Sequence, residues 1–264
     1  MAEVANTRAG FLAAAASMMI VVLVAGRAGA SEAVRREGPL AVAEVLAGDL
    51  VRLDDGRAVR LAGIRVPVGS AAERGAERFA EEARAALRKL LEGQMVTLAP
   101  AEAPYDRYGR LVAHIERADG VWLQGALLER GLAQVQTRPG EAARAGEMLA
   151  IEQDARAARR GLWAEAAFMP QDAGAIDDST GRFRIVRGRV LRVAPTQGYV
   201  YLNFGADWRA DFTVRVRRAE LRGALAGVDL AGLAGRVIEV RGVVLEAGGP
   251  LIELSHPEQL QVLP

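Results

Sequence analysis

Three short strings in the first half of the chain place charged side chains beside apolar residues: AGDLV (Ala47–Val51), VRLAGI (Val59–Ile64) and DRYGR (Asp106–Arg110). Arginine binds phosphate oxygens through paired, charge-assisted hydrogen bonds, and a carboxylate is a favoured calcium ligand. Asp49, Arg60 and Arg110 are therefore candidates for an anion or metal site. Each also has an ordinary structural interpretation, because an aspartate can form a turn between strands and an arginine can be solvated on a strand.

The elements around these strings follow the order strand, strand, strand, helix, strand, strand and helices. Residues 40–64 alternate in strand fashion and are interrupted by Asp54-Asp55-Gly56, a hairpin signal. Residues 73–92 have the apolar spacing of a helix. Further strands are predicted over 94–99 and 109–116, and further helices over 121–131 and about 141–160. A five-stranded barrel with one interposed helix is the OB arrangement.

The second half of the chain is also rich in strand patterns. Residues 166–182 mix Gly, Pro, Asp and Ser and are predicted to be a linker. Residues 183–263 again predict three strands, a helical connection and two strands. We therefore expect a second β-rich, OB-like domain here, with a plain β-sandwich as the alternative.

Five strings together identify a family resemblance. AGDLV, VRLAGI and DRYGR, followed by ALLERGLAQV (126–135) and RGLWAE (160–165), resemble the staphylococcal nuclease (thermonuclease) family in order and spacing. The resemblance implies an α+β domain over about 40–165, mainly β, built on an OB-type five-stranded barrel with helices. It also implies calcium-dependent hydrolysis of phosphodiester bonds in DNA and RNA.

The resemblance assigns roles to individual residues. Asp49 matches the first calcium carboxylate of the family, and Arg60 and Arg110 match its two phosphate-binding arginines. Tyr108 either lines the same pocket or packs against the barrel. These groups would stabilise charge on the pentacoordinate phosphorus while a glutamate activates the attacking water.

The sequence departs from the family at two positions where the family has catalytic residues. Arg65 lies where the family has a second metal-ligating aspartate, and Val68 lies where it has the general-base glutamate. Valine cannot accept a proton, and loss of a general base costs roughly 10²–10⁴ in rate. The next acidic residue downstream is Glu73, and the tyrosines of the family's nucleotide pocket are replaced by the stretch 136–139.

A hypothesis follows from this exchange of charge. Arg65 would pair with Asp49 and substitute a fixed positive charge for the metal, leaving a metal-free anion pocket with Arg60 and Arg110. No cofactor is then expected, whereas an active site of the family type would require Ca²⁺.

Composition places limits on partners and location. The formal net charge is +1, and without residues 1–30 the positive and negative side chains are equal in number, so any anion site must be local. Residues 11–26 are apolar and are followed by Ala28-Gly29-Ala30, which predicts a signal peptide over 1–30 that is cut after Ala30. We expect a secreted or periplasmic protein with no stable membrane span after cleavage; an uncleaved membrane anchor is the alternative.

Other candidate groups are weaker. No Walker motif, dinucleotide fingerprint or zinc-ligand set is present, and His114 and His256 are interpreted as structural. Between 199 and 218 the chain combines aromatic residues with arginines: Tyr199, Tyr201, Phe204, Trp208, Arg209, Phe212, Arg215, Arg217 and Arg218. On an OB-like sheet these could stack nucleic-acid bases or bind a glycan; alternatively, Tyr199, Tyr201 and Phe212 fill a small barrel.

Three functions compete on the sequence. The first is an exported thermonuclease-like protein that binds nucleic acid or another anionic polymer, with hydrolysis weak or lost. The second is a divergent phosphodiesterase. The third is a purely structural or interaction module of the cell envelope, with no anion site and with an envelope protein as its partner.

Overall fold

A computed structural model describes residues 36–68, 75–176, 179–207 and 209–264. The signal peptide predicted at 1–30 lies outside the described residues. Within those described ranges, no helix is long and apolar enough to cross a membrane.

The N-terminal half forms a closed barrel. Its described strands are β1 (Glu37–Ala47), β2 (Leu50–Leu53), β3 (Ala58–Leu61), β4 (Ile64–Arg65), β5 (Met95–Tyr105), β6 (Leu111–Arg117) and β7 (Gln134–Val135). The barrel has the order β1-β2-β3-β6-β5, with β3 and β6 parallel and the other described neighbours antiparallel. β4 and β7 pair separately. The predicted five-stranded OB-type barrel is confirmed.

Helices cover the barrel on its outside. The described helices are α1 (Ala76–Leu91), α2 (Leu123–Glu129) and α3 (Ala145–Ala157). α1 follows the predicted spacing, because Phe79, Ala83 and Leu87 are buried one turn apart. The helix ends before Gly93, whose φ of 65° lies in the left-handed region that glycine tolerates.

The C-terminal half is built from two connected sheets. Its described strands are β8 (Gln171–Asp172), β9 (Phe183–Arg189), β10 (Arg192–Pro195), β11 (Tyr199–Asn203), β12 (Thr213–Arg217), β13 (Val237–Val243), β14 (Leu245–Glu246), β15 (Pro250–Leu254) and β16 (Leu260–Val262). One sheet has the order β10-β11-β12-β15-β14 and the other the order β16-β13-β9-β8.

The pairing of these strands repeats the order of the first barrel. β9 and β10 are separated by Val190 and Leu191 and together take the place of a bent first strand, while β13 and β14 form a bent fourth strand. β12 and β15 are parallel, as β3 and β6 are in the first barrel, and β9 pairs antiparallel with β13. The prediction of a β-rich C-terminal half is therefore confirmed, and its strand pairing follows the order of an OB fold, with the first and fourth strands each bent between two sheets.

The segment predicted to be a linker is packed where the structure describes it. Residues 166–176 contain short 3-10 turns and β8, which runs parallel to β9. Phe168, Ala173 and Ile176 are buried. A composition rich in Gly, Pro and Asp thus marks a change of chain direction between the two halves, and the few apolar side chains within it fix the segment to both.

An apolar cluster joins the two halves. Trp163 and Phe79 from the first half pack with Phe168, Phe183 and Ile185. The rings of Phe79 and Phe168 meet edge to face, with centroids 5.7 Å apart. Trp163 of the RGLWAE string is fully buried here, so its role is packing.

A buried ion-pair network crosses the same interface. Arg241 on β13 donates to Glu152 of α3 (Nη1–Oε2, 2.8 Å) and to the carbonyl oxygen of Val135 (3.1 Å). Glu239 on β13 accepts two hydrogen bonds of 2.8 Å from Arg156 of α3. Burial would raise the pKa of Glu239, but Arg156 and Arg241 hold it below its usual value. The α3 helix is thereby linked to the C-terminal sheet by charge as well as by apolar contact.

Two buried histidines connect stability to pH. His256 lies between Ser255 Oγ (2.9 Å from Nδ1) and Thr137 Oγ1 (2.8 Å from Nε2), so it bridges the two halves. Burial lowers the pKa of His256 to about 4, and burial together with the charge of Arg144 lowers the pKa of His114 to about 4. Both histidines are neutral in the folded protein at physiological pH.

Stability is expected to fall as the pH decreases from about 6.5 to about 4, by roughly 2–3 kcal/mol for each histidine. In this pH window the histidines of the unfolded chain bind protons, whereas the buried histidines of the folded protein do not. The stabilisation from their burial as neutral groups is therefore complete above about pH 6.5 and lost toward about pH 4. Urea unfolding at pH 7 and pH 4.5 measures the effect. The His256→Gln variant should show about half of the pH dependence; an unchanged dependence in this variant would contradict the assignment.

Candidate functional site

The residues predicted to do chemistry meet at one end of the first barrel. Arg60 lies on β3 and is paired with Val112 on β6, while Arg110 immediately precedes β6. Asp49 lies in the turn between β1 and β2, and its carbonyl oxygen accepts a hydrogen bond from Leu61 N–H (2.9 Å). We call Asp49, Arg60, Asp106, Arg110 and Glu141 the barrel-end site.

Arg60 is held inside this site by carboxylates. Its side chain is 7% exposed, and Nη2 donates to Glu141 Oε1. Its Nε lies 3.6 Å from Asp106 Oδ2. Glu141 is itself buried and also accepts from the backbone N–H of Gly63 (3.2 Å). Arg60, predicted to bind phosphate, is thus engaged in a buried ion pair.

The DRYGR string forms a tight turn that fixes Arg110. Asp106 Oδ1 accepts from the backbone N–H groups of Tyr108 (2.9 Å) and Arg110 (3.1 Å), and Gly109 has a φ of 72°. Asp106 Oδ2 accepts from the Arg110 guanidinium at Nε (2.8 Å) and Nη2 (2.7 Å). Burial would raise the pKa of Asp106, but these hydrogen bonds hold it below its usual value. Asp106 therefore stays charged and orients Arg110.

Tyr108 stands out from this turn into solvent. It is 65% exposed, and its ring lies close to two guanidinium groups. Arg107 Cζ is 4.8 Å and Arg110 Cζ is 4.9 Å from the ring centroid, and Arg107 Nη2 donates to the Tyr108 hydroxyl (2.7 Å). The sequence left two interpretations open for Tyr108. The ring does not pack in the barrel, because it is exposed to solvent beside Arg110.

Asp49 is half-buried beside two arginines. Burial raises the pKa of Asp49 above its usual value, while the charges of Arg60 and Arg110 and hydrogen bonds from its own backbone and from Val66 lower it. The net pKa remains raised. Asp49 is therefore a carboxylate whose charged form is disfavoured by its surroundings.

Arg65 is directed toward the C-terminal half. Its Nη1 donates to Gln134 Oε1 (2.7 Å), and its Cζ lies 4.9 Å from the centroid of the Phe183 ring. The charges that act on the pKa of Asp49 come from Arg60 and Arg110. The expected pair between Arg65 and Asp49 is thus not part of this geometry, because Arg65 extends from β4 across the interface instead.

The described residues do not fit a calcium ion of the family type. Calcium takes six to eight oxygen ligands, mostly carboxylates, carbonyls and water. In the part of the chain that the structure describes, no three His, Cys, Asp or Glu side chains are close enough to share a metal. Val68 is 64% exposed and offers no ligand, and Glu73 lies outside the described residues. Arg60 and Arg110 place positive charge beside Asp49.

Sequence reasoning missed three charged residues of the site or its rim. Asp106 lies within the DRYGR string, and an aspartate before a Tyr-Gly turn is a local signal that its side chain accepts hydrogen bonds from the backbone of the turn. Glu141 lies 81 residues from Arg60, so no local pattern could join them. Arg138 is half exposed, and its Nη1 lies 3.6 Å from Glu141 Oε1. Burial and the charge of Arg60 lower the pKa of Arg138.

Comparison with known proteins agrees with this architecture. Residues 58–165 match the family model described as staphylococcal nuclease homologue. The predicted resemblance to the staphylococcal nuclease family is therefore confirmed over this range. The matched range includes Arg60 and Arg110 and begins after Asp49. Among curated proteins, no significant match to the chain was found.

Proposed function

We propose that this is an exported protein that uses a nuclease-type barrel to bind nucleic acid or another phosphate-rich polymer, with hydrolysis weak or lost. The observation that carries the proposal is the distribution of charge at the barrel-end site. Two of its carboxylates are enclosed, with Asp106 13% and Glu141 6% exposed at the side chain, and Asp49 is half-buried; Arg110 is 30% and the neighbouring Arg138 50% exposed. An approaching ligand therefore meets arginine first.

A phosphate group would be bound by Arg110, which Asp106 already holds in a fixed orientation. Pre-orientation matters because less side-chain entropy is lost when the anion arrives. The exposed ring of Tyr108 lies beside this guanidinium and offers a surface on which a base can stack. Two further arginines add positive charge: Arg107 lies beside the Tyr108 ring, and Arg138 lies beside Glu141.

Hydrolysis lacks its proton acceptor in this site. Val68 stands at the position of the family's glutamate and cannot activate water. The carboxylates nearest to Arg110 and Arg60 are engaged by those arginines, so neither is placed as a free base. Export is supported by the signal-peptide pattern over 1–30.

The test combines binding and cleavage by the purified protein. We expect labelled single-stranded DNA or RNA to bind without cleavage, in calcium and in EDTA alike. Arg110→Gln should weaken binding about tenfold, because a hydrogen bond to a charged group contributes roughly 1.5–3 kcal/mol. Arg88→Gln is the matched control, since it removes the same charge from the exposed face of α1; it should leave affinity unchanged.

Two outcomes would overturn the proposal. Calcium-dependent cleavage that disappears in Arg110→Gln would establish a divergent phosphodiesterase with a replaced base. Affinity that is the same in Arg110→Gln as in the native protein would remove the barrel-end site from ligand binding and favour a module that binds an envelope protein.

A further inference from the structure

The C-terminal half presents aromatic rings on one face of its five-stranded sheet. Along β11, Val200 and Leu202 are buried, whereas Tyr199 and Tyr201 are half-buried and point to the opposite face. Phe212 is buried in the core. The alternative that Tyr199, Tyr201 and Phe212 all fill the interior therefore holds for Phe212 only. The two tyrosines are side by side, with centroids 5.9 Å apart.

Arginines flank these rings through strand register. On β12, Arg215 is opposite Tyr201 and Arg217 is opposite Tyr199. On the other side, Arg192 of β10 is opposite Asn203, which shares the tyrosines' face. Arg215 Cζ lies 5.0 Å from the Tyr199 centroid. We call Tyr199, Tyr201, Arg192, Arg215 and Arg217 the tyrosine face.

The charge of the tyrosine face is positive. Glu253 on β15 is opposite Arg215, accepts from its Nε (3.1 Å) and Nη2 (2.7 Å), and lies 3.5 Å from Arg217 Nη2. One carboxylate is thus shared by two arginines. It fixes the Arg215 guanidinium against Tyr199 and leaves Arg217, 61% exposed, and Arg192 for an anion.

We propose that the tyrosine face binds single-stranded nucleic acid, at a site separate from the barrel-end site. β11 and β12 are the second and third strands of this OB-type order, the part of the fold that binds oligonucleotides and oligosaccharides. Aromatic rings stack on bases of any sequence, and adjacent arginines bind the phosphates between them. The arginines favour nucleic acid over an uncharged glycan, since a neutral sugar gives them no charge partner.

The experiment measures binding of a fluorescein-labelled oligothymidylate by anisotropy, in an Arg107→Gln, Arg110→Gln background that weakens the first site. In that background we expect binding to persist. The pair Tyr199→Leu, Tyr201→Leu should weaken it at least tenfold, because leucine keeps the apolar contact with the sheet but has no π face. The pair Tyr199→Phe, Tyr201→Phe keeps the ring and should retain most of the affinity.

Charge is tested with a second matched pair. Arg192→Gln with Arg217→Gln should reduce the slope of log K against log salt by roughly 1.4, at about 0.7 for each phosphate contact on a single strand. Arg222→Gln with Arg236→Gln removes the same charge from exposed positions elsewhere in the domain and should leave the slope unchanged. Thermal melting confirms that each variant is folded.

Equal affinities for the leucine and phenylalanine pairs would overturn the proposal. The proposal would also be wrong if the protein bound an unlabelled neutral glucan, as measured by tyrosine fluorescence, and did not bind the oligonucleotide. Trp208, near this region in sequence, lies outside the described residues and has no part in the design.

Discussion

Replacing Arg241 by alanine is expected to lower the free energy of unfolding by about 3–5 kcal/mol. Arg241 is 2% exposed and lies between Glu152 and Glu239, both of them buried. Without it, Glu152 loses its 2.8 Å ion pair and keeps, among the contacts of the described residues, the backbone N–H of Val135 (2.7 Å) and a longer ion pair with Arg156 (3.9 Å). A buried charge that loses its partner is costly because no water replaces it.

Urea unfolding followed by circular dichroism measures this loss. Arg187→Ala is the matched control, because Arg187 also contacts Glu239 (3.1 Å) but its side chain is 50% exposed. Its loss should cost less than about 1 kcal/mol. The double variant Arg241→Ala, Glu152→Gln should lose less than the sum of the single variants, because the unpaired charge is removed as well. A loss for Arg241→Ala no larger than that for Arg187→Ala would show that the network is solvated.

Arg60→Ala is expected to destabilise the protein by about 3–5 kcal/mol, because it leaves Glu141 buried without its main partner. Arg110→Ala should cost less than about 1 kcal/mol, since Arg110 is 30% exposed and Asp106 keeps Arg60 at 3.6 Å and two backbone hydrogen bonds. The two arginines that the family resemblance treats alike are thus predicted to separate into one that stabilises the fold and one that binds ligand.

The same urea titration, repeated with an anisotropy measurement of DNA binding, distinguishes the two. Arg60→Lys serves as a control that keeps the charge near Glu141 but loses the second hydrogen-bonding arm, so its loss of stability should lie between native and Arg60→Ala. If Arg60→Ala is as stable as the native protein and only loses affinity, the buried pair is not what fixes this arginine.

The barrel could be predicted from the sequence because its signals are local. Alternation over 40–64, the helical spacing of Phe79, Ala83 and Leu87, and the DRYGR turn each specify their own element, and the structure contains all of them. The C-terminal order was predictable for the same reason. The bends between β9 and β10 and between β13 and β14 were not, because a bent strand and two short strands have the same alternation.

The site was predictable only in part, because its decisive contacts are long-range. The family resemblance of the strings VRLAGI and DRYGR predicted that Arg60 and Arg110 belong to one site. Nothing local indicates that Glu141 pairs with Arg60, or that Arg65 reaches Phe183 of the other half. A local motif is enough to identify a candidate residue. The partner of that residue can be identified only when the three-dimensional structure is known.

The position of Arg65 carries a consequence for how this chain could change. Where the family resemblance places a second metal carboxylate, this chain has a guanidinium that spans from β4 to the Phe183 ring and Gln134. Restoring an aspartate there would shorten the side chain and remove that bridge. An Arg65→Asp substitution would therefore add a carboxylate at that position and, at the same time, remove one contact between the two halves of the chain.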